Sequence, residues 1–165
     1  MSKVLAIDPG DVESAFVLME RETLKPLEFA KLSNPALVAW MNINCMDIDE
    51  FVIERVQSYG MAVGKNVFRT CEWTGRFVQI ADEFEIKIKY VYRKDEKLHI
   101  CHDSRAKDAN IRRALIDRFA THDMKNGKGT KDNPDFFYKF KADCWAAYAV
   151  GLTYIEAGPS EVEES

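Results

Sequence analysis

The chain opens on an unbroken apolar run, Val4-Leu5-Ala6-Ile7, that stops at Asp8-Pro9-Gly10 and resumes as Ala15-Phe16-Val17-Leu18-Met19. Two such runs divided by a Pro-Gly turn predict buried strands at 3–8 and 14–20, joined as a hairpin. A third strand is expected at 25–31, where Pro26 and polar–apolar alternation mark an edge. Asn34-Pro35 reads as a cap followed by proline in the first turn. It opens a helix at 36–44 with Leu37, Val38, Trp40 and Met41 inward. A strand at 50–56 follows, then a loop at 57–65 flanked by Gly60 and Gly64. Val67, Phe68, Cys71, Gly75, Val78 and Ala81 recur every three or four residues and predict an amphipathic helix ending near residue 82.

The second half alternates. A strand is expected at 86–92, a helical turn at 95–101, and a helix at 106–121 with Ile111, Leu115, Ile116 and Phe119 inward. A loop rich in Lys, Gly and Asn spans 123–139, and a final apolar helix at 141–156 closes the chain. Strands first, then strand–helix alternation under a closing helix, is the pattern of an α/β layered domain. It is expected to occupy residues 1–157, with an acidic tail at 158–165 that reads as disordered.

Composition changes this picture in two places. A length of 165 residues with 47% apolar content supports one domain with a full core and excludes a disordered chain. No apolar run reaches the roughly 18 residues of a membrane span, and the N-terminus lacks a signal-peptide core. A soluble cytoplasmic protein without a membrane partner is therefore expected. Cys45, Cys71, Cys101 and Cys144 are scattered and read as reduced thiols, and the His99, Cys101, His102 spacing fits no zinc pattern. The net charge of −4 argues against nucleic acid until its distribution is considered. Residues 87–141 hold 15 of the 23 basic residues against 8 acids, a local +7, and leave −11 elsewhere. A local basic stripe is what engages phosphates.

Three carboxylates sit where carboxylates are costly. Asp8 ends the first apolar run, Glu54 lies inside Phe51-Val52-Ile53-Glu54-Arg55-Val56, and Asp143 heads the apolar helix Cys144-Trp145-Ala146-Ala147-Tyr148-Ala149-Val150. A buried lone carboxylate costs several kcal/mol unless paired. Three of them on three core elements suggest a divalent-metal site.

Four segments in order resemble RuvC-type Holliday junction resolvases of the RNase H-like superfamily. They are Ile7-Asp8-Pro9-Gly10, Ile53-Glu54-Arg55-Val56, Arg105-Ala106-Lys107-Asp108-Ala109-Asn110-Ile111, and Asp143 with Ala146-Ala147-Tyr148-Ala149-Val150-Gly151-Leu152-Thr153. The resemblance covers about residues 3–155 and is strongest to the compact versions carried by bacteriophages and prophages. It implies a five-stranded mixed sheet flanked by helices, with Asp8, Glu54 and Asp143 as catalytic acids holding two Mg²⁺, or Mn²⁺ in their place. It implies hydrolytic nicking of four-way DNA junctions by a homodimer. The chain departs from the family in one respect: a second acid belongs one turn from Asp143, and Ala146 stands there. In the other possible register Phe140 replaces the first acid of the pair; Asp108 and Asp135 are candidates to make up the loss. Lys107 is implied near the scissile phosphate, with Arg105, Arg112 and Arg113 beside it. Lys125, Lys128 and Lys131 read as a mobile phosphate clamp, and Tyr59 as an aromatic that stacks on an unpaired base. Two alternatives stay open on the same fold: a nuclease for other branched DNA or RNA–DNA hybrids, and a junction-binding protein with weakened catalysis. The Asp-Pro-Gly opening also occurs in actin-like ATPases, but those need a second, repeated domain.

Overall fold

In a computed structural model describing residues 1–161, the first apolar run becomes the middle of a five-stranded sheet. The strands are β1 (Lys3–Asp8), β2 (Glu13–Glu20), β3 (Pro26–Ser33), β4 (Glu50–Glu54) and β5 (Lys87–Val91). The helices are α1 (Asn34–Asn44), α2 (Lys65–Glu83), α3 (Arg93–Cys101), α4 (Asp108–Phe119) and α5 (Cys144–Ala157). Strand order is β3-β2-β1-β4-β5, as expected of a mixed sheet. The first three strands pair antiparallel, β1 with β2 across the Pro-Gly turn and β2 with β3 across residues 21–25, whereas β1, β4 and β5 run parallel.

Period-two alternation divides the apolar side chains between two cores. Leu5, Ile7, Phe16, Leu18, Phe51 and Ile53 face α1 and α2. Val4, Ala6, Ala15, Val17, Met19, Val52 and Val91 face α4 and α5. Helix α5 is buried from Cys144 to Tyr154, apart from the half-buried Ala146, and lies directly on β1 and β2. Gly151 permits that approach: a Cβ there would stand 2.4 Å from Met19 Sδ and 3.0 Å from Ala6 Cβ.

Three expectations are corrected. Helix α2 buries Phe77, Ile80 and Ala81, while Phe68 and Cys71, expected inward, are exposed. Periodicity identifies a shared face but not how much of the helix length is covered, and only the C-terminal half of α2 reaches the core. The last helix begins at residue 144 rather than 141, so Phe140 lies before it in the core, 1% exposed. Of the expected tail, residues 158–161 run back along the sheet edge. The Ser160 N–H donates to the Tyr90 carbonyl at 2.9 Å, and its hydroxyl accepts from the Tyr92 N–H at 2.9 Å. Residues 162–165 of that tail lie outside the described residues.

Candidate active site

Strands β1 and β4 are neighbours in parallel register, Ile7 opposite Ile53, so the next residues, Asp8 and Glu54, stand side by side at the strand tips. Adjacent strands are about 4.8 Å apart. Asp8 shares the parity of Val4 and Ala6, and Glu54 that of Val52; both therefore face the α5 side. The turn after Asp8 is fixed by a small buried network. The Gly10 N–H donates to Ser14 Oγ at 3.0 Å, Ser14 donates to Asn34 Oδ1 at 2.6 Å, and Asn34 Nδ2 returns to the Gly10 carbonyl at 3.0 Å. Only glycine fits position 10, because a Cβ would stand 2.2 Å from the Glu13 carbonyl oxygen.

A further acid, unremarked in the sequence, comes from the helical turn expected at 95–101, which forms as α3. Helix α3 starts straight after β5 and carries Arg93 and Glu96 on one face of its first turn. Glu96 is wholly buried, its Oε1 accepting from Arg93 Nη1 at 3.1 Å. The same Nη1 lies 3.9 Å from Glu54 Oε1, and Nη2 bonds Asp108. Among the described residues, Glu54 Oε1 and Glu96 Oε2 are buried with no hydrogen-bond partner. Burial foremost, then the charge of Glu54, holds the Asp8 carboxyl well above its ordinary range; Asp143 adds to the effect and Arg93 opposes it. The same two causes, burial and then Glu54, raise the Glu96 carboxyl despite Arg93. Asp8, Glu54 and Glu96 thus crowd three carboxyls, Glu96 fully and the others mostly buried, into one corner with one guanidinium to offset their charge.

Asp143 stands at the N-cap of α5, close enough to Asp8 to raise its pKa, but its carboxylate is engaged elsewhere. Lys31 of β3 reaches Asp143 Oδ2 at 2.7 Å, and bonding to that carboxylate raises the lysine's own pKa. Among the described residues, no three carboxylate, imidazole or thiol groups already close on one point as a finished metal cage. The donor set nevertheless fits a hard divalent cation: every donor is a carboxylate oxygen, and two of those oxygens are buried and unpartnered.

The candidate fourth acids fare differently. Asp108 is exposed and reaches the cluster only through Arg93. Asp135 is excluded as a ligand, because its two oxygens accept the backbone N–H groups of Thr121, His122, Asp123 and Phe136 at 2.7–2.9 Å. Asp123 in turn accepts the N–H groups of Asn126, Lys128 and Gly129 at 2.9–3.2 Å. The lysine loop expected to be a mobile clamp is therefore pinned from within. Lys125 and Lys128 border a groove of about 220 Å³ with Arg112 and Arg113, and Lys131 is exposed in the same loop. Arg113 is occupied in holding that loop, donating to Asp117 and to the carbonyls of Met124 and Lys125, while Arg112 lies over the Trp145 ring at 5.0 Å. Arg105 and Lys107 are exposed ahead of α4, whose first turn is capped by the Asn110 side chain accepting the Lys107 N–H at 2.8 Å.

Tyr59 is 65% exposed and borders a groove with Arg93, Lys94, Lys97 and Ser104. A second groove, lined by Lys31, Lys128, Lys139 and Lys141, runs past Cys144 beside Asp143. Lys31, Lys94, Lys97, Lys139 and Lys141 carry no motif, and only tertiary placement assembles them around the acids.

The five-stranded mixed sheet, flanked by helices and carrying acids at two neighbouring strand tips, is an RNase H-like fold. Solved structures of RuvC share it. A Thermus thermophilus RuvC structure superposes with a TM-score of 0.66 over 95% of this chain and 97% of its own, at 14% identity. T. thermophilus RuvC in complex with a Holliday junction substrate gives 0.67 over 96% of each chain, at 12% identity. No family model and no curated protein matches the sequence. Among the described residues, no helix is long and apolar enough to cross a membrane.

Proposed function

We propose that this protein is a Mg²⁺-dependent endonuclease of RuvC type that nicks four-way DNA junctions as a homodimer. The observation that carries the reading is the pairing of Asp8 with Glu54 on one sheet face, their charges crowded with Glu96 and uncompensated except by Arg93. Such an arrangement needs either protons or a cation to offset its charge, and its all-oxygen donor set suits a divalent cation.

Divalent ions bound there would supply a hydroxide nucleophile and stabilise the leaving 3′ oxygen. Asp8, rigid at its strand tip, and Glu54 beside it would hold these ions, with Mn²⁺ acceptable to the same oxygens. Asp143 would join them on release from Lys31. That lysine, with Lys128, Lys139 and Lys141, lines the path of one backbone, and Arg93, Lys94 and Lys97 line the other. Lys107 and Arg105 extend the track at the start of α4, Arg112, Lys125 and Lys131 continue it, and Tyr59 offers an exposed ring for stacking. Phe68, 60% exposed on α2 near the open side of Gly75, suits burial by a second copy. Two-fold symmetry would then place one acid cluster on each of two equivalent strands.

Labelled four-way junction and linear duplex, incubated with and without Mg²⁺, provide the test. Paired nicks in the junction alone, and only with metal, are expected. Asp8→Asn should keep junction binding and lower nicking more than about a hundredfold, since even outer partners of metal ligands cost 10–100-fold. Undiminished cleavage by that variant would defeat the reading. The Lys31–Asp143 pair favours one alternative, a junction-binding protein with weakened catalysis. Binding without cleavage in either Mg²⁺ or Mn²⁺, across junction, flap, fork and RNA–DNA hybrid substrates, would select it.

A further inference from the structure

We propose that Glu96 is a metal-ligating carboxylate of this centre, supplying from α3 the acid that Ala146 does not supply from α5. The inference rests on the metal-centre reading above and adds a residue to it. Glu96 is 0% exposed, on a helix whose other first-turn acid, Asp95, is half-buried and accepts from the Ser160 hydroxyl. One of its oxygens is fixed by Arg93 and the other, Oε2, is buried with no hydrogen-bond partner among the described residues. An unpaired buried carboxylate oxygen costs more than a hydrogen bond returns. Neighbouring Glu54 Oε1 also makes no hydrogen bond among the described residues, Arg93 Nη1 standing off at 3.9 Å, and the Asp8 charge acts on Glu96 as well.

A purely structural Glu96, there to hold Arg93, would explain Oε1 but not Oε2. The salt bridge needs one oxygen, and Asp108 already binds the same guanidinium from the solvent side. Hydrophobic packing would explain neither. A cation between Glu54 and Glu96 satisfies both orphaned oxygens together. It also accounts for Arg93, which offsets part of the charge at the mouth of the cluster. Position 146, by contrast, carries a methyl group on a half-buried turn and has nothing to donate.

Mn²⁺ binding to the full chain, measured by calorimetry without DNA, tests the assignment independently of cleavage. Wild type, Glu96→Gln, Asp8→Asn and Asp108→Asn are compared, with thermal unfolding of each as the control for folding. Glu96→Gln should weaken Mn²⁺ at least about tenfold while unfolding cooperatively, and Asp8→Asn should do the same. Asp108→Asn should bind as wild type. Wild-type affinity in Glu96→Gln alongside a loss in Asp8→Asn overturns the Glu96 assignment and leaves the nuclease reading standing. If wild type itself takes up no Mn²⁺, the metal centre falls and this inference with it. Should Glu96→Gln not fold, Glu96→Asp, which keeps the charge but withdraws the oxygen by one carbon, takes its place, and undiminished affinity there is equally fatal.

Discussion

Asp135 and Glu96 are both buried acids, yet their surroundings treat them in opposite ways. Burial pushes the Asp135 carboxyl up, but the N–H groups of His122, Thr121, Asp123 and Phe136 together outweigh it and hold the group well below the usual range. Among the described residues, no backbone N–H meets Glu96, only the Arg93 guanidinium. Glu156 of α5 belongs with Asp135: the Arg118 guanidinium, opposed by burial and helped by His99, lowers its pKa to about 2. A carboxyl depressed by folding stabilises the native state in full above its ordinary pKa near 4.3, and that contribution is lost as pH falls towards the folded value. Glu156→Gln is therefore expected to cost about 1–2 kcal/mol at pH 6. The gap to wild type should close between about pH 4.5 and pH 2 in denaturant titrations; a gap independent of pH would show that packing, not charge, is at work.

At the scale of elements, the segment from Thr121 to Phe136 behaves as a turn built around one carboxylate. Asp135→Ala strands four backbone donors and should lower stability by about 3 kcal/mol, read as a fall in the urea midpoint at unchanged slope. The strands, α4 and α5 were legible in the sequence because apolar periodicity is a local property. Asp8, Glu54 and Asp143 were legible because each interrupts or heads an apolar run, where a charge stands out. Glu96 was not, since Arg93-Lys94-Asp95-Glu96-Lys97 reads as a solvated turn and only the docking of α3 after β5 buries one of its charges. The same reason hid the Lys31–Asp143 bond, which joins residues more than a hundred positions apart. The exposed half of α2 was misread because a stripe of apolar residues carries no information about what covers it.

Across the whole molecule, an acidic protein presents a cationic surface where its sheet strands end. DNA binding should accordingly weaken steeply with salt, log K falling with log salt at about 0.9 per phosphate neutralised. Replacing Lys94 and Lys139, one from each groove, should reduce that slope by about 2 and weaken all sequences alike. A slope unchanged in the double variant would place the backbone track elsewhere.

The acid cluster draws on Asp8 of β1 and on Asp143, more than a hundred positions later in the chain, at the head of the α5 helix that packs on both β1 and β2. A chain emerging from the ribosome therefore holds Asp8, Glu54 and Glu96 long before the helix that roofs them exists. Until that helix docks, water reaches those acids freely and the cramped, desolvated corner has not formed. On the proposed function, copies cut short before residue 144 lack that roof and should neither bind Mn²⁺ as the full chain does nor nick a junction.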